Sequence, residues 1–194
     1  MAQNSRERGY GGSADRDADT SASVSWQVAR ASEEHGVDFE PSVLSLTLTL
    51  YRAVTAYERA GAAELAPHNL TTSHLNILTV LHRAEHPLTM GELGRAVSVR
   101  PANLTGVVDA LVTRSFVERQ INPGDRRSYL IANTTEGDAF LAGFLPAHWR
   151  YLEKLTSGLS NDERLQLAAL LERLRESVDT AERSGLSSSD QLVG

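Results

Sequence analysis

The chain has 194 residues, 41% of them hydrophobic and 23% charged, enough for one sizeable domain or two small ones sharing a core. It contains no cysteine, which excludes disulfides, thiolate metal sites and a cysteine redox switch. The net charge of −6 is unevenly spread: residues 1–40 and 134–194 carry −4 each, residues 41–133 carry +2, and from Arg95 to Arg127 six arginines face three carboxylates. A locally basic stretch can hold phosphates in an acidic protein, because the field decays over a Debye length of about 8 Å at physiological salt.

No apolar run approaches the roughly 18 residues of a membrane span, and residues 1–23 lack a signal-peptide core. The expectation is a soluble cytoplasmic protein without a membrane partner. Residues 1–23, rich in Gly, Ser, Arg and Asp, cannot offset their own ordering entropy and read as a disordered tail. Val24–Val37, with Trp26 and Val28, reads as a short amphipathic helix ending near Gly36.

Pro41 suits the first turn of the next helix. Leu44, Leu46, Leu48 and Leu50 alternate with polar residues as in a strand, but the continuation to Ala66 is rich in helix formers and has no turn signal. The reading is one long helix over about 42–66, apolar on more than one side and buried between subunits or elements. After Pro67-His68-Asn69, Thr71 caps a helix to about Glu85 that turns Leu75, Leu78 and Leu81 to one face, ended by His86-Pro87.

Thr89 and Glu92 have capping-box spacing, which starts a helix at Met90 that buries Leu93 and Val97. Ser98-Val99-Arg100 make a turn, and Pro101 opens a second helix with Leu104, Val107, Val108 and Leu111 inward. That leaves Arg100, Ala102, Asn103, Thr105 and Gly106 outward. Such a polar, small-residue face suits the major groove, where an Asn can pair bidentately with adenine. Gly106 reads either as a close approach to a backbone or as a tolerated small residue.

Residues 116–121 and 128–133 are strand-like, joined by Asn122-Pro-Gly-Asp-Arg-Arg127. Arg126 and Arg127 at a hairpin tip are costly to bury and suit the negative potential of a narrow minor groove. Thr134 or Thr135 caps a helix to about Thr156, which Pro146 should kink or split after Leu145. A second capping box, Ser160 and Glu163, starts a leucine-rich helix to about Arg183. The fold class is therefore mainly α with a small β-wing: a winged helix-turn-helix lobe beside a helical dimerisation region.

The chain resembles the MarR family of bacterial transcriptional regulators over about residues 42–183. The resemblance rests on Asp125-Arg126-Arg127 followed by Ile131 and Thr134, with Leu70-Thr71, Leu88-Thr89, Glu92-Leu93 and Val107-Val108-Asp109 before Leu111. Asn133 stands where the family's Leu usually precedes the capping Thr, and Ser115 where it usually has Gly. The resemblance implies a homodimer paired through the first long helix and the last two. It implies helix 101–114 in the major groove, Arg126 or Arg127 of each wing in the minor groove, and a small aromatic or acidic ligand that weakens DNA binding.

One urate-responsive subgroup carries an N-terminal helix with a Trp, matched by Trp26, and a stretch like Leu145-Pro-Ala-His148; Arg119 falls on one of its ligand arginines. Its aspartate position holds Asn76 here and its other arginine position holds Thr105, which speaks against urate. Trp26, Asn76 and Arg119 are the candidate ligand contacts. The implied organisation is 1–23 tail, 24–66 N-terminal helix and first dimerisation helix, 67–134 winged helix-turn-helix lobe, 135–183 C-terminal dimerisation helices and 184–194 flexible tail.

Trp26 and Trp149 read as core or interface aromatics before ligand stackers, and Asp109 as holding an ion pair or a cap. His82 and His86 are four apart, but no carboxylate pair sits at ligand spacing, so neither metal nor cofactor is expected. No phosphate loop, nucleophile elbow or Cys/His dyad suggests an enzyme, and no catalytic residue is nominated. The expected function is a sequence-specific regulator, of repressor type, on a pseudo-palindromic duplex. The alternative is a dimeric winged-helix interaction module without ligand response, and a steep salt dependence of DNA binding discriminates the two.

Overall fold

The computed structural model describes residues 23–36, 39–97, 101–125 and 127–185, without the side chains of Pro101 and Ala102. The expected disordered tail, apart from Ser23, the turn Ser98–Arg100, Arg126 and the chain beyond Gly185 lie outside the described residues. The chain divides into two compact units, residues 1–72 and 73–194.

In the first unit, Ser23 caps helix α1 (Val24–His35), its Oγ accepting from Trp26 N at 3.1 Å. Gly36, at φ +62°, ends the helix as expected. Glu40 caps helix α2 (Pro41–Leu65), with Pro41 in its first turn. The leucine alternation of 44–50 therefore lies within one helix, because the longer run of good helix formers outweighs it and no described strand pairs with it. α1 packs on α2. Much of α2 is nevertheless bare, with Val43, Leu46, Tyr51, Val54 and Tyr57 exposed. A 3-10 turn, Ala66–His68, and Asn69 at φ +51° end the segment.

The second unit carries helix α3 (Thr72–Arg83, starting at the boundary), strand β1 (Leu88–Thr89), helices α4 (Met90–Ala96) and α5 (Pro101–Thr113), strands β2 (Val117–Ile121) and β3 (Tyr129–Asn133), and helices α6 (Thr135–Leu155) and α7 (Asn161–Arg183). The sheet is antiparallel in the order β1-β3-β2. β1 was not expected: Leu88 pairs with Ile131 and Thr89 with Leu130, so the residue that caps α4 is also tied to the wing. Leu75, Ile77, Leu78, Leu81, Leu93, Val97, Leu104, Val108, Leu111, Val117, Ile131, Leu141 and Phe144 form the buried core of this unit.

α6 runs unbroken through Pro146, so of the kink or split expected there the split after Leu145 does not occur. Proline removes the amide that would bond the Ala142 carbonyl and crowds that carbonyl with its ring. Ala142 and Pro146 are both exposed, so water can take that carbonyl while Leu141 and Phe144 anchor the helix to the core. α7 buries none of its residues, and Leu165, Leu167, Leu170, Leu171 and Val178 are exposed. Trp26 and Trp149 are also exposed, so neither is core in the single chain. Among the described residues no helix is long and apolar enough to cross a membrane.

Candidate nucleic-acid interface

The capping box predicted at Thr89 is formed. Thr89 N donates to Glu92 Oε2 at 2.8 Å, and Glu92 N donates to Thr89 Oγ1 at 3.2 Å. Accepting from the Thr89 backbone and hydroxyl holds the Glu92 carboxyl below its ordinary value. α4 then buries Leu93 and Val97, and a Cβ on Gly94 would meet Leu104 at 3.3 Å, so α4 and α5 pack closely.

α5 divides as its periodicity predicts. Leu104, Val108 and Leu111 are buried, while Asn103, Thr105 and Gly106 are exposed. Val107 is half-buried rather than fully inward. A Cβ on Gly106 would meet nothing within 4 Å, so the protein's own packing does not require glycine there. Arg100 and the Ala102 side chain lie outside the described residues.

The hairpin register pairs Val117 with Asn133, Arg119 with Ile131 and Ile121 with Tyr129. Asn122 and Asp125 build its tip. Asn122 Oδ1 accepts from Gly124 N at 2.9 Å, and its Nδ2 donates to Ser128 Oγ at 3.0 Å. Asp125 Oδ1 accepts from Arg127 N at 3.0 Å, and the Asp125 carbonyl accepts from Ser128 N at 3.0 Å. Asp125, Arg127 and Gly124 are exposed at this tip. Asp125 shapes the loop with its carboxylate, which leaves the cations as the groups able to meet a phosphate.

The joint between α5 and α6 holds this assembly. Ser115, where the family resemblance led to glycine, sits at φ +59°. Its carbonyl accepts from Thr134 Oγ1 at 2.5 Å, and Thr134 N donates to Phe116 O at 3.0 Å. Thr134 also caps α6, accepting from Gly137 N at 3.1 Å. A Cβ on Gly137 would lie 2.2 Å from Phe116 O, so glycine is required by close backbone approach. Beyond the joint, Phe116, Phe140, Phe144 and His148 stack in series at 5.2–5.3 Å between centroids, with Arg114 over Phe116 at 4.9 Å.

Asn133, the other departure from the family pattern, donates from Nδ2 to Leu78 O and to Asp138 Oδ1, both at 3.0 Å. Two acceptors on one side orient the amide and leave Oδ1 buried without a partner. His82 Nδ1 lies 3.0 Å from the same Asp138 oxygen. The His82 and Asn133 bonds hold the Asp138 carboxyl below its ordinary value. Burial, with nearby Arg114, holds the His74 imidazole below its ordinary 6.5 and favours its neutral form.

Of the candidate ligand contacts, Trp26 lines an open groove of about 570 Å³ with Gln27, Arg30, Ala31, Glu34 and Leu44. In the second unit, Asn76 is half-buried on α3, and Arg119 donates to Asp109. The ion pair expected of Asp109 is thus present. That its partner would be Arg119 has no signature in periodicity; only a ten-residue separation between a helix face and a strand face could have hinted at it.

Two successive packed helices, the second with a small polar outer face, followed by an antiparallel hairpin with an exposed arginine at its tip, define a winged helix-turn-helix protein of the DNA-binding type. Residues 70–129 match the MarR family. The chain is 31% identical to the HTH-type transcriptional repressor YetL of Bacillus subtilis, over 69% of this chain and 80% of that protein. It is also 31% identical to the HTH-type transcriptional repressor NicR of Pseudomonas putida, over 67% and 82%. A mutant MarR of Escherichia coli, solved in complex with operator DNA, superposes with TM-score 0.63 at 28% identity, covering 69% of this chain and 95% of that one. The chain belongs to the MarR family of transcriptional regulators, whose members here are regulators and not enzymes.

Proposed function

We propose that the protein is a cytoplasmic, homodimeric repressor that binds a pseudo-palindromic duplex with half-sites about one helical turn apart. The carrying observation is the exposure of Asn103, Thr105 and Gly106 on α5, followed by the wing tip with exposed Arg127. Asn103 reads bases, with Arg100, Ala102 and Thr105 beside it, and Gly106 leaves room for the duplex backbone. Arg126 and Arg127 enter the minor groove, and Asp125 shapes the loop that presents them.

Two features support the dimer: the exposed apolar residues of α2, and those of α7, where Leu165, Leu167, Leu170, Leu171 and Val178 remain uncovered. Several large apolar side chains exposed on one helix are characteristic of an interface. A small aromatic or acidic ligand that lowers DNA affinity completes the proposal, with Trp26 as a stacking surface; Arg119 is already held by Asp109. Bordetella bronchiseptica BpsR, whose DNA binding is regulated by 6-hydroxynicotinic acid, shares the fold at TM-score 0.62 and 22% identity.

The test is selection of duplexes from a random pool by the purified protein, then titration of the enriched duplex across salt concentrations. Binding should fall steeply with salt. The variant with Arg126→Ala and Arg127→Ala should lose affinity for many sequences and show a flatter salt slope, by about 2 released counterions per protomer, while remaining a folded dimer. Equal affinity of parent and variant would remove the wing from the interface. A panel of aromatic acids added to the parent complex reads the ligand response, which falls if no acid changes DNA affinity.

A further inference from the structure

We propose that Asp109 and Arg119 are a positioning pair that sets the wing against the recognition helix α5, so that both reach one duplex; this rests on the DNA-binding reading above. Arg119 Nη2 donates to Asp109 Oδ1 at 2.5 Å, joining the outer side of α5 to β2. On β2, Arg119 has the side-chain parity of buried Val117, and its register partner on β3 is the fully buried Ile131. The strand is therefore anchored by Val117 two residues before the arginine and by Ile131 directly across from it, while Ile121 beyond it is exposed. On α5, Asp109 follows Gly106 by three positions and Thr105 by four, placing it beside these two residues of the exposed face assigned to the groove.

A carboxylate beside that face is a liability for a protein that approaches phosphates. Local charge alone makes Asp109 unfavourable for DNA binding, and its neutralisation should strengthen binding. The geometry gives it the opposite role. Arg119 cancels its charge, and the single charge-assisted hydrogen bond between them holds this point of β2 close to α5. The wing tip and α5 are covalently linked only through the Ser115 joint, so this side-chain clasp constrains the angle between the two DNA-contacting elements from its other side.

These two effects make opposite forecasts for one substitution. Parent, Asp109→Asn, Arg119→Gln and the charge-reversed pair with Asp109→Arg and Arg119→Asp are titrated with the duplex enriched by the parent from a random pool, and each variant's own preference profile is selected. As positioning residues, Asp109→Asn and Arg119→Gln should each weaken binding about tenfold, and the reversed pair should recover most of that loss. Both single variants should also blur the preference profile, while unfolding midpoints stay near the parent's, because both side chains are partly exposed. Asp109→Asn binding as tightly as the parent, or more tightly, overturns the proposal, as does a reversed pair weaker than both single variants. A parent that binds no duplex overturns the DNA-binding reading itself, a different result from a parent that binds and an unaffected Asp109→Asn.

Discussion

Ser115 occupies a backbone conformation that disfavours any residue with a Cβ, at φ +59° between α5 and β2. Its side chain is exposed, while its backbone donates to Val112 O and accepts from Thr134 Oγ1. Glycine would keep those backbone bonds and shed about 1 kcal/mol of left-handed strain, against a similar but smaller gain in unfolded-chain entropy. Ser115→Gly should therefore raise stability by about 0.5 kcal/mol, seen as a higher urea midpoint at unchanged m value. The departure was visible in the sequence through the family resemblance. Its backbone angle was not, because nothing in Thr113-Arg114-Ser115 demands a positive φ. Asn133 likewise looked like a mere substitution until its amide was placed between Leu78 and Asp138.

Among the elements, the helices were the most legible, because their ends carry local chemistry. Thr89 with Glu92 and Ser160 with Glu163 each spell out a cap in four residues, and both caps form as read. β1 was illegible for the opposite reason: a two-residue strand has no period, and its partner Ile131 lies far along the chain. The inward and outward faces of α5 could be read from spacing, whereas the Asp109–Arg119 clasp depends on a tertiary choice of partner. The tightest joint between elements is also silent in sequence, since Gly137 looks like an ordinary first-turn residue. Gly137→Ala should cost about 2–4 kcal/mol, because the added carbon meets the Phe116 carbonyl and must push α6 away from the start of the wing. Gly143→Ala on the same helix meets nothing within 4 Å and should instead add up to about 1 kcal/mol. Thermal unfolding of the two variants side by side checks this; equal midpoints would show that the joint yields.

For the whole molecule, the distribution of apolar surface matters more than its amount. The second unit has its own buried core, yet α7 contributes no buried residue to it, and α2 leaves two tyrosines and several aliphatic side chains exposed. A helix of 23 residues with a leucine face open to water is stable once that face is covered. Replacing Leu167 and Leu170 with Glu should convert the proposed dimer to monomer in sedimentation. It should also weaken binding to a two-half-site duplex by about a hundredfold or more, because the second half-site is then no longer engaged at high effective concentration. A parent that sediments as a monomer, or a variant that stays dimeric, would remove α7 from the interface.

The charge pattern has a further consequence, for how a target is found. Both flanks of the chain are net negative while the stretch from Arg95 to Arg127 is net positive, and α7 alone presents Asp162, Glu163, Glu172, Glu176, Asp179 and Glu182. On the proposed DNA-binding reading, a polyanion should favour the orientations that lead with the Arg95–Arg127 stretch. Encounters in wrong orientations are then brief, so the protein spends little time trapped on indifferent DNA. Its arrival rate should depend on ionic strength in the attractive sense even though the protein as a whole is an anion.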